Sequence, residues 1–116
     1  MGRLTTHVLD AVAGKPAAGV AVTLYRIDAA GPVVVANATT DADGRISPLV
    51  EEAAFVAGIY ELHFLCGAYF RGAGVPLSDP PFLDIVPIRF GIADAGQHFH
   101  VPLLLSPYSY STYRGS

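Results

Sequence analysis

The chain has 116 residues, a length that suits one domain built around a single hydrophobic core. Hydrophobic residues make up 52% of it and charged residues only 15%, so we expect part of the apolar surface to meet other subunits. The formal net charge is -3 and no basic cluster is present, which argues against a nucleic-acid partner.

The sequence carries no sign of secretion or of a membrane span. Its single cysteine, Cys66, excludes an intrachain disulfide framework and is typical of a reducing compartment. The first residues lack the apolar core of a signal peptide. Residues 95–113 are free of Asp, Glu, Lys and Arg, but they include two histidines and two prolines and do not resemble a spanning helix. We therefore predict a cytoplasmic protein with no membrane partner.

Short alternating runs of apolar and polar residues, separated by turn residues, follow one another along the chain. They predict strands over residues 3–10, 19–27, 33–40, 46–49, 59–66 and 82–92, one strand that begins at His98, and a short run over 108–113. Residues 67–73 are the one plausible helical segment, and Pro87 indicates an edge or a bulge. This pattern predicts an all-β antiparallel sandwich of about eight strands with one short helix, forming a single domain over residues 1–116.

The strand that begins at His98 has two unlike faces. One face is apolar and suits a core; it carries Phe99, Val101, Leu103 and Leu105. The other face begins with His98 and His100, which a core does not need. His7 also lies in mid-strand among small and apolar residues. Because a neutral imidazole can take a proton from water near pH 7, these histidines are candidates for a general base. We expect them to line a cleft, with His98 nearer its mouth because it lies at the end of the strand.

The chain ends in Tyr113, Arg114, Gly115 and Ser116, directly after the last predicted strand. Terminal residues are usually small, polar and poorly ordered. These carry a phenol, a guanidinium and a terminal carboxylate instead, and the strand before them can hold these groups in place. We predict that the tail takes part in function.

The sequence from His100 to the end, H-V-P-L-L-L-S-P-Y-S-Y-S-T-Y-R-G-S, resembles the C-terminal signature of the 5-hydroxyisourate hydrolases, transthyretin-related enzymes of purine breakdown. Residues 104–112 are also similar to transthyretin itself, whereas the Tyr-Arg-Gly-Ser ending resembles the enzymes alone. The segments T-H-V-L-D at 6–10 and T-D-A-D-G-R at 40–45 agree with the hydrolases. The resemblance covers essentially the whole chain and is sparse only across residues 66–79.

This resemblance implies a transthyretin-like sandwich that forms a homotetramer, with active sites in the cleft between dimers. It also implies a cofactor-free enzyme whose small-molecule substrate is 5-hydroxyisourate. The implied product is 2-oxo-4-hydroxy-4-carboxy-5-ureidoimidazoline, formed in urate catabolism. By the same resemblance, the catalytic residues are His7, Arg45, His100 and Ser116, and the substrate-binding residues are Tyr113, Arg114 and Gly115. His98 is added to the substrate-binding set because it shares the face of His100.

The residue types suit a hydrolysis. An imidazole acting as general base contributes roughly 10²–10⁴-fold to the rate. Arg45 cannot lose its charge and can bind two oxygens at once, so it would orient the substrate and stabilise an oxyanion. Ser116 offers a hydroxyl and a carboxylate that would hold a histidine tautomer or position water. Which of His7 and His100 is the base stays open at this point.

Two patterns in the sequence resemble metal sites. His98, His100 and His7 could together bind zinc, but no Asp or Glu accompanies them on that face, so we expect no metal. The Asp-Ala-Asp-Gly segment at 41–44 predicts a hairpin-type turn in which Gly44 can take a positive φ, and it also hints at a calcium loop. It fails as one, because Val50 stands where the loop requires a bidentate Glu.

Other kinds of function give weaker matches. A serine triad would need a nucleophile-elbow sequence, and none surrounds Ser106 or Ser109. A transthyretin-like carrier of a small aromatic ligand is the main alternative. Such a carrier needs neither paired histidines nor Arg45, nor the Tyr-Arg-Gly-Ser ending. A purely structural sandwich domain is the third possibility.

Overall fold

The computed structural model describes residues 2–50 and 55–115, which form two packed β-sheets. The described strands are β1 Arg3–Asp10, β2 Lys15–Pro16, β3 Ala21–Asp28, β4 Gly31–Thr39, β5 Arg45–Ile46, β6 Gly58–Leu65, β7 Ile85–Ile92, β8 His98–Leu105 and β9 Tyr110–Thr112. A single helix among these residues, α1 Cys66–Gly72, lies between β6 and β7. The predicted sandwich with one short helix is confirmed.

The first sheet has the strand order β2-β1-β8-β9, with β5 also paired to β1, and the second has the order β4-β3-β6-β7. Among the described pairs, β1 and β8 run parallel and the others run antiparallel. A parallel pair requires a long crossover. Here the crossover contains the whole second sheet, so residues from the two ends of the chain become neighbours.

The core lies between the two sheets, and the alternation of β8 shows which face is which. Phe99, Val101, Leu103 and Leu105 are buried, as predicted, whereas Leu104 is 38% exposed. On β1, Leu4 and Val8 point into the same core. Burying each such side chain is worth roughly 1.5–3 kcal/mol, so the inward face of each strand is fixed by packing. The outward face of the first sheet is left for other side chains.

Some predicted boundaries shift for local reasons. The strand predicted over 46–49 is reduced to Arg45–Ile46, because Pro48 has no N–H to offer the ladder. The strand predicted over 82–92 begins only at Ile85, and Phe82 is 70% exposed. The interpretation of Pro87 is confirmed, since β7 is an edge strand.

Cys66, the single cysteine of the chain, is fully buried, and burial raises the pKa of its thiol to about 12. In the described ranges, no helix combines the length and apolar character that crossing a membrane would demand.

Candidate active site

A cleft of about 190 Å³ opens on the outward face of the first sheet, where β1, β5 and β8 lie side by side. It is smaller than pockets that hold drug-sized ligands, so it suits a compact molecule. Its wall includes two arginines and two histidines: Arg3, Arg45, His98 and His100. A wall of this kind favours a ligand rich in oxygen or carrying negative charge.

The strand register brings distant residues together at this cleft. Parallel pairing places Thr5 opposite His100, although 95 residues separate them along the chain. Antiparallel pairing places His7 opposite Arg45. Because side chains alternate along a strand, Thr5 and His7 share the outward face of β1. The predicted grouping of His7, Arg45, His98 and His100 is therefore present as one set on one face.

Thr5 connects the two histidines of β8. Its Oγ1 lies 2.9 Å from Nε2 of His98 and 2.7 Å from Nδ1 of His100. Thr5 itself is only 6% exposed. The sequence alone assigns no role to Thr5, because the contact depends on a pairing between the two ends of the chain. The contact leaves Nε2 of His100 as the ring nitrogen available for chemistry.

His7 is held by a different partner. Its Nε2 lies 2.9 Å from the carbonyl oxygen of Asp43. A carbonyl can only accept, so Nε2 carries the proton and donates it. In the neutral ring, Nδ1 then carries the free lone pair. The hydrogen bond thus sets both the tautomer and the orientation of this imidazole.

The turn over residues 41–44 supplies that carbonyl and positions Arg45. The Asp41 carboxylate accepts hydrogen bonds of 2.9 Å from the backbone N–H groups of Asp43 and Arg45. The bond from Arg45 is the main reason that the pKa of Asp41 lies below its ordinary value. Gly44 has φ of +75°, as the turn prediction required, and a Cβ there would lie 2.5 Å from the carbonyl oxygen of Val8. Only glycine fits this close approach to β1.

Arg45 is exposed, and none of the ion pairs found among residues 2–50 and 55–115 involves its guanidinium. Its charge is therefore not neutralised by the described part of the chain. A carboxylate, an imide oxygen or a developing oxyanion in the cleft is a suitable partner for it.

The C-terminal tail approaches the same site. The Gly115 N–H donates a 2.8 Å hydrogen bond to the His100 carbonyl, and a Cβ on Gly115 would lie 2.6 Å from Cδ2 of His100. Gly115 therefore fits closely against the imidazole. Tyr113 is 60% exposed and borders an open cleft that it shares with His98. Ser116, the fourth predicted catalytic residue, lies outside the described residues.

Arg114 borders the same open cleft as Tyr113 and Gly115, but its guanidinium is held by other contacts. Its guanidinium carbon lies 4.2 Å from the centre of the Phe99 ring, and its Nη2 donates a 3.0 Å hydrogen bond to Oε1 of Gln97. Since Phe99 is on the core face of β8, this guanidinium lies on the opposite side of the strand from His100. It anchors the tail in the structure. Its contact with substrate stays a prediction.

The histidines of β8 favour the neutral form. Burial lowers the pKa of His100, and the neighbouring His98, His7 and Arg45 lower it further, while a contact with the backbone of Thr5 acts in the opposite direction. Burial, followed by the charge of Arg3, lowers the pKa of His98. A neutral imidazole at neutral pH is the form that can accept a proton.

The zinc alternative requires a cluster of metal-binding side chains. Nowhere in the ranges that the structure describes do three His, Cys, Asp or Glu side chains come together as a metal site.

Comparison with known proteins gives a consistent result over the whole chain. A model of the HIUase/Transthyretin family matches residues 4–115. The chain is 59% identical over 116 residues to 5-hydroxyisourate hydrolase 2 of Rhizobium meliloti (strain 1021), covering 99% of this chain and 97% of that relative.

Two solved structures are similar in fold. The crystal structure of (S)-allantoin synthase has a TM-score of 0.92 and 44% identity; it covers 99% of this chain, which spans only 44% of that protein. The crystal structure of sea bream transthyretin in complex with thyroxine has a TM-score of 0.88 and 35% identity, with coverage of 97% of this chain and 94% of that one.

We expect the imidazoles of His98 and His100 to titrate below the ordinary histidine value of 6.5 in an NMR pH titration. Since their pKa is lower in the folded than in the unfolded chain, their contribution to stability is present above pH 6.5 and is lost as the pH falls through the folded pKa values. Arg45→Gln should raise the pKa of His100. The control Arg89→Gln, on the second sheet, should leave it unchanged. A wild-type His100 that titrates above 6.5 would contradict this electrostatic account.

Proposed function

The chain belongs to the HIUase/Transthyretin family, and on that basis we propose that it hydrolyses 5-hydroxyisourate in the cleft between β1, β5 and β8. It is an enzyme, a cyclic-amide hydrolase of urate catabolism that forms 2-oxo-4-hydroxy-4-carboxy-5-ureidoimidazoline. The observation that carries the site assignment is the grouping of His7, Arg45 and His100 on one face of the first sheet.

The fold alone does not separate this function from that of a carrier, because transthyretin has the same fold at a TM-score of 0.88. The side chains of the cleft favour catalysis. A carrier that binds its ligand by packing has no need of neutral imidazoles beside a guanidinium that forms no ion pair with the described part of the chain. Sequence identity points the same way, at 59% to a hydrolase and 35% to the carrier.

His100 is the general base in this proposal. Its lowered pKa keeps it neutral, and its bond to Thr5 directs Nε2 toward a water molecule. Water adds to the activated ring carbonyl and gives a proton to Nε2. Arg45 binds the oxygen on which negative charge develops. The ring C–N bond then breaks, the departing nitrogen takes up a proton, and the former carbonyl becomes the new carboxylate.

The other predicted residues bind and orient the substrate. His7, whose tautomer is set by the Asp43 carbonyl, presents Nδ1 as an acceptor for an N–H or O–H group of the substrate. His98 and Tyr113 lie at the mouth of the cleft and contact the substrate there, and Gly115 keeps the His100 ring in place. In this proposal Arg114 anchors the C-terminal tail, and Ser116 positions the attacking water.

The assembly is a homotetramer in this proposal, located in the cytoplasm and without a cofactor. Its support is the apolar composition together with apolar side chains on the surface, including Leu104 of β8 at 38% exposure and Ile59 of β6 at 50%. A single buried cysteine suits a reducing compartment.

The assembly prediction is tested by light scattering at micromolar protein concentration, where we expect the mass of four chains. A monomer that is fully active at that concentration would contradict it.

The catalytic assignment predicts that His7→Asn, Arg45→Gln and His100→Asn each lower turnover. For the base, the loss should be on the order of 10²–10⁴-fold. The melting temperature should change little, because Arg45 and His100 line the cleft, His7 lies on the same outward face, and none of the three is part of the core. The measurement is the ultraviolet decay of freshly prepared 5-hydroxyisourate with and without each protein.

His63→Asn is the matched control, since His63 is half-buried beside Glu61 on the second sheet and far from the cleft. It should keep the wild-type rate. A His100→Asn variant with near-normal turnover would rule out His100 as the base. A wild-type chain that binds thyroxine and leaves the decay unchanged would favour the carrier.

A further inference from the structure

Thr5 has an arrangement that its neighbours on β1 lack. Its side chain is 6% exposed, and its one hydroxyl lies within hydrogen-bonding distance of a ring nitrogen on each of two histidines. The distances are 2.9 Å to His98 and 2.7 Å to His100, both short enough for well-formed bonds. The hydroxyl therefore bridges the two imidazoles.

A hydroxyl has one proton to donate, and it accepts through its lone pairs. When both rings are neutral, Thr5 donates to one ring nitrogen and accepts from the other. If Thr5 donates to Nε2 of His98, it accepts from Nδ1–H of His100, and Nε2 of His100 is then free to act as a base. If Thr5 donates to Nδ1 of His100 instead, the His100 proton lies on Nε2. The tautomers of the two rings are thus linked.

We propose that Thr5 is a positioning residue that couples the tautomers of His100 and His98 and relays the accepted proton to His98. This inference rests on the proposed function, with His100 as the general base, and adds a route for the proton.

The transfer balances in two proton movements. His100 first accepts a proton from water at Nε2 and becomes an imidazolium. It then passes the proton on Nδ1 to Oγ1 of Thr5, while the hydroxyl proton of Thr5 passes to Nε2 of His98. His100 is neutral again but now has its proton on Nε2, Thr5 still has one hydroxyl proton, and His98 carries the positive charge. The positive charge has moved from His100 to His98, which lies nearer the mouth of the cleft. The starting tautomers return when the two protons shift back through Thr5 and Nε2 of His100 releases its proton to the departing ring nitrogen.

His98 is suited to receive and release that proton. It borders the cleft of His100 on one side and the open cleft beside Tyr113 and Gly115 on the other. Among the residues that the structure describes, the charged and titratable groups facing the pair are Arg3 and His7 from β1, Arg45 from β5, and Tyr113 and Arg114 on the open cleft. Burial, and then the charge of Arg3, disfavours the charged form of His98, so His98 readily gives up a proton that arrives there.

The test compares three variants of the full-length protein in the 5-hydroxyisourate assay. Thr5→Val keeps the shape but has no hydroxyl, Thr5→Ala is a smaller replacement in case valine prevents folding, and Thr5→Ser keeps the hydroxyl. We expect valine and alanine to lower kcat by roughly 10-fold to 100-fold, part of the 10²–10⁴-fold that a positioned base contributes. Serine should restore at least half of the wild-type kcat.

Thr40→Val is the matched control for stability. Thr40 is 4% exposed and also bridges two groups, the Val20 N–H and the Ala17 carbonyl, away from the cleft. It should lower the melting temperature while keeping the kcat of the folded fraction. A purely structural role for Thr5 predicts the same behaviour in Thr5→Val.

Nitrogen NMR of the imidazoles provides a readout that does not depend on activity. We expect the tautomer signals of both His98 and His100 to differ between Thr5→Val and the wild type, because the two rings are linked through Thr5. The acid limb of the kcat/KM profile should shift in the same variant.

Thr5→Val with wild-type kcat, pH profile and imidazole signals would overturn the relay and leave the proposed function standing. A wild-type chain that does not accelerate the decay would overturn the proposed function, and the relay with it.

Discussion

The parallel pairing of β1 with β8 is the contact on which the site depends. It places the first strand of the chain beside one of the last and sets Thr5 opposite His100. A slip of one residue would reverse every side chain of a strand between the two faces. Such a slip would put Leu4 or Phe99 into water and an imidazole into the core. The burial of the inward face therefore fixes the position of the histidines on the outward face.

Catalytic groups on the outer face of a sheet gain rigidity from the core behind them. The hydrogen bonds of the site add to this rigidity without charge. His7 is held by a backbone carbonyl and His100 by a threonine hydroxyl, so neither of these hydrogen bonds is made to a carboxylate. A carboxylate would raise the pKa of an imidazole and favour its charged form. In this cleft, burial and neighbouring positive groups lower the pKa of His100 instead.

Much of this arrangement could be predicted from the sequence, because it depends on local patterns. Alternation identified β1 with its observed bounds and both faces of β8, and the Asp-Ala-Asp-Gly segment indicated the turn that positions Arg45. The resemblance then grouped His7, Arg45 and His100. The bridge made by Thr5 was not predictable, since a threonine in a strand is ordinary until the register shows what lies opposite.

The position of Arg114 also could not be predicted from the sequence alone. The tail residues were treated as one group from the sequence, but the alternation continues past β9 and turns this guanidinium toward Phe99 while Gly115 meets His100. Short strands were also hard to bound, because Pro48 and the loop before Ile85 end pairing that the hydrophobic pattern alone would continue.

The central claim is that His7 and His100 act on one substrate as parts of a single site, and a double-mutant cycle tests it most directly. The values of kcat/KM for His7→Asn, His100→Asn and the double variant are compared with that of the wild type. Groups that act as a unit give losses that are far from additive in free energy. We predict that the double variant loses little more than the worse single variant. A loss equal to the product of the two single losses would show that the residues act independently, and would contradict the account.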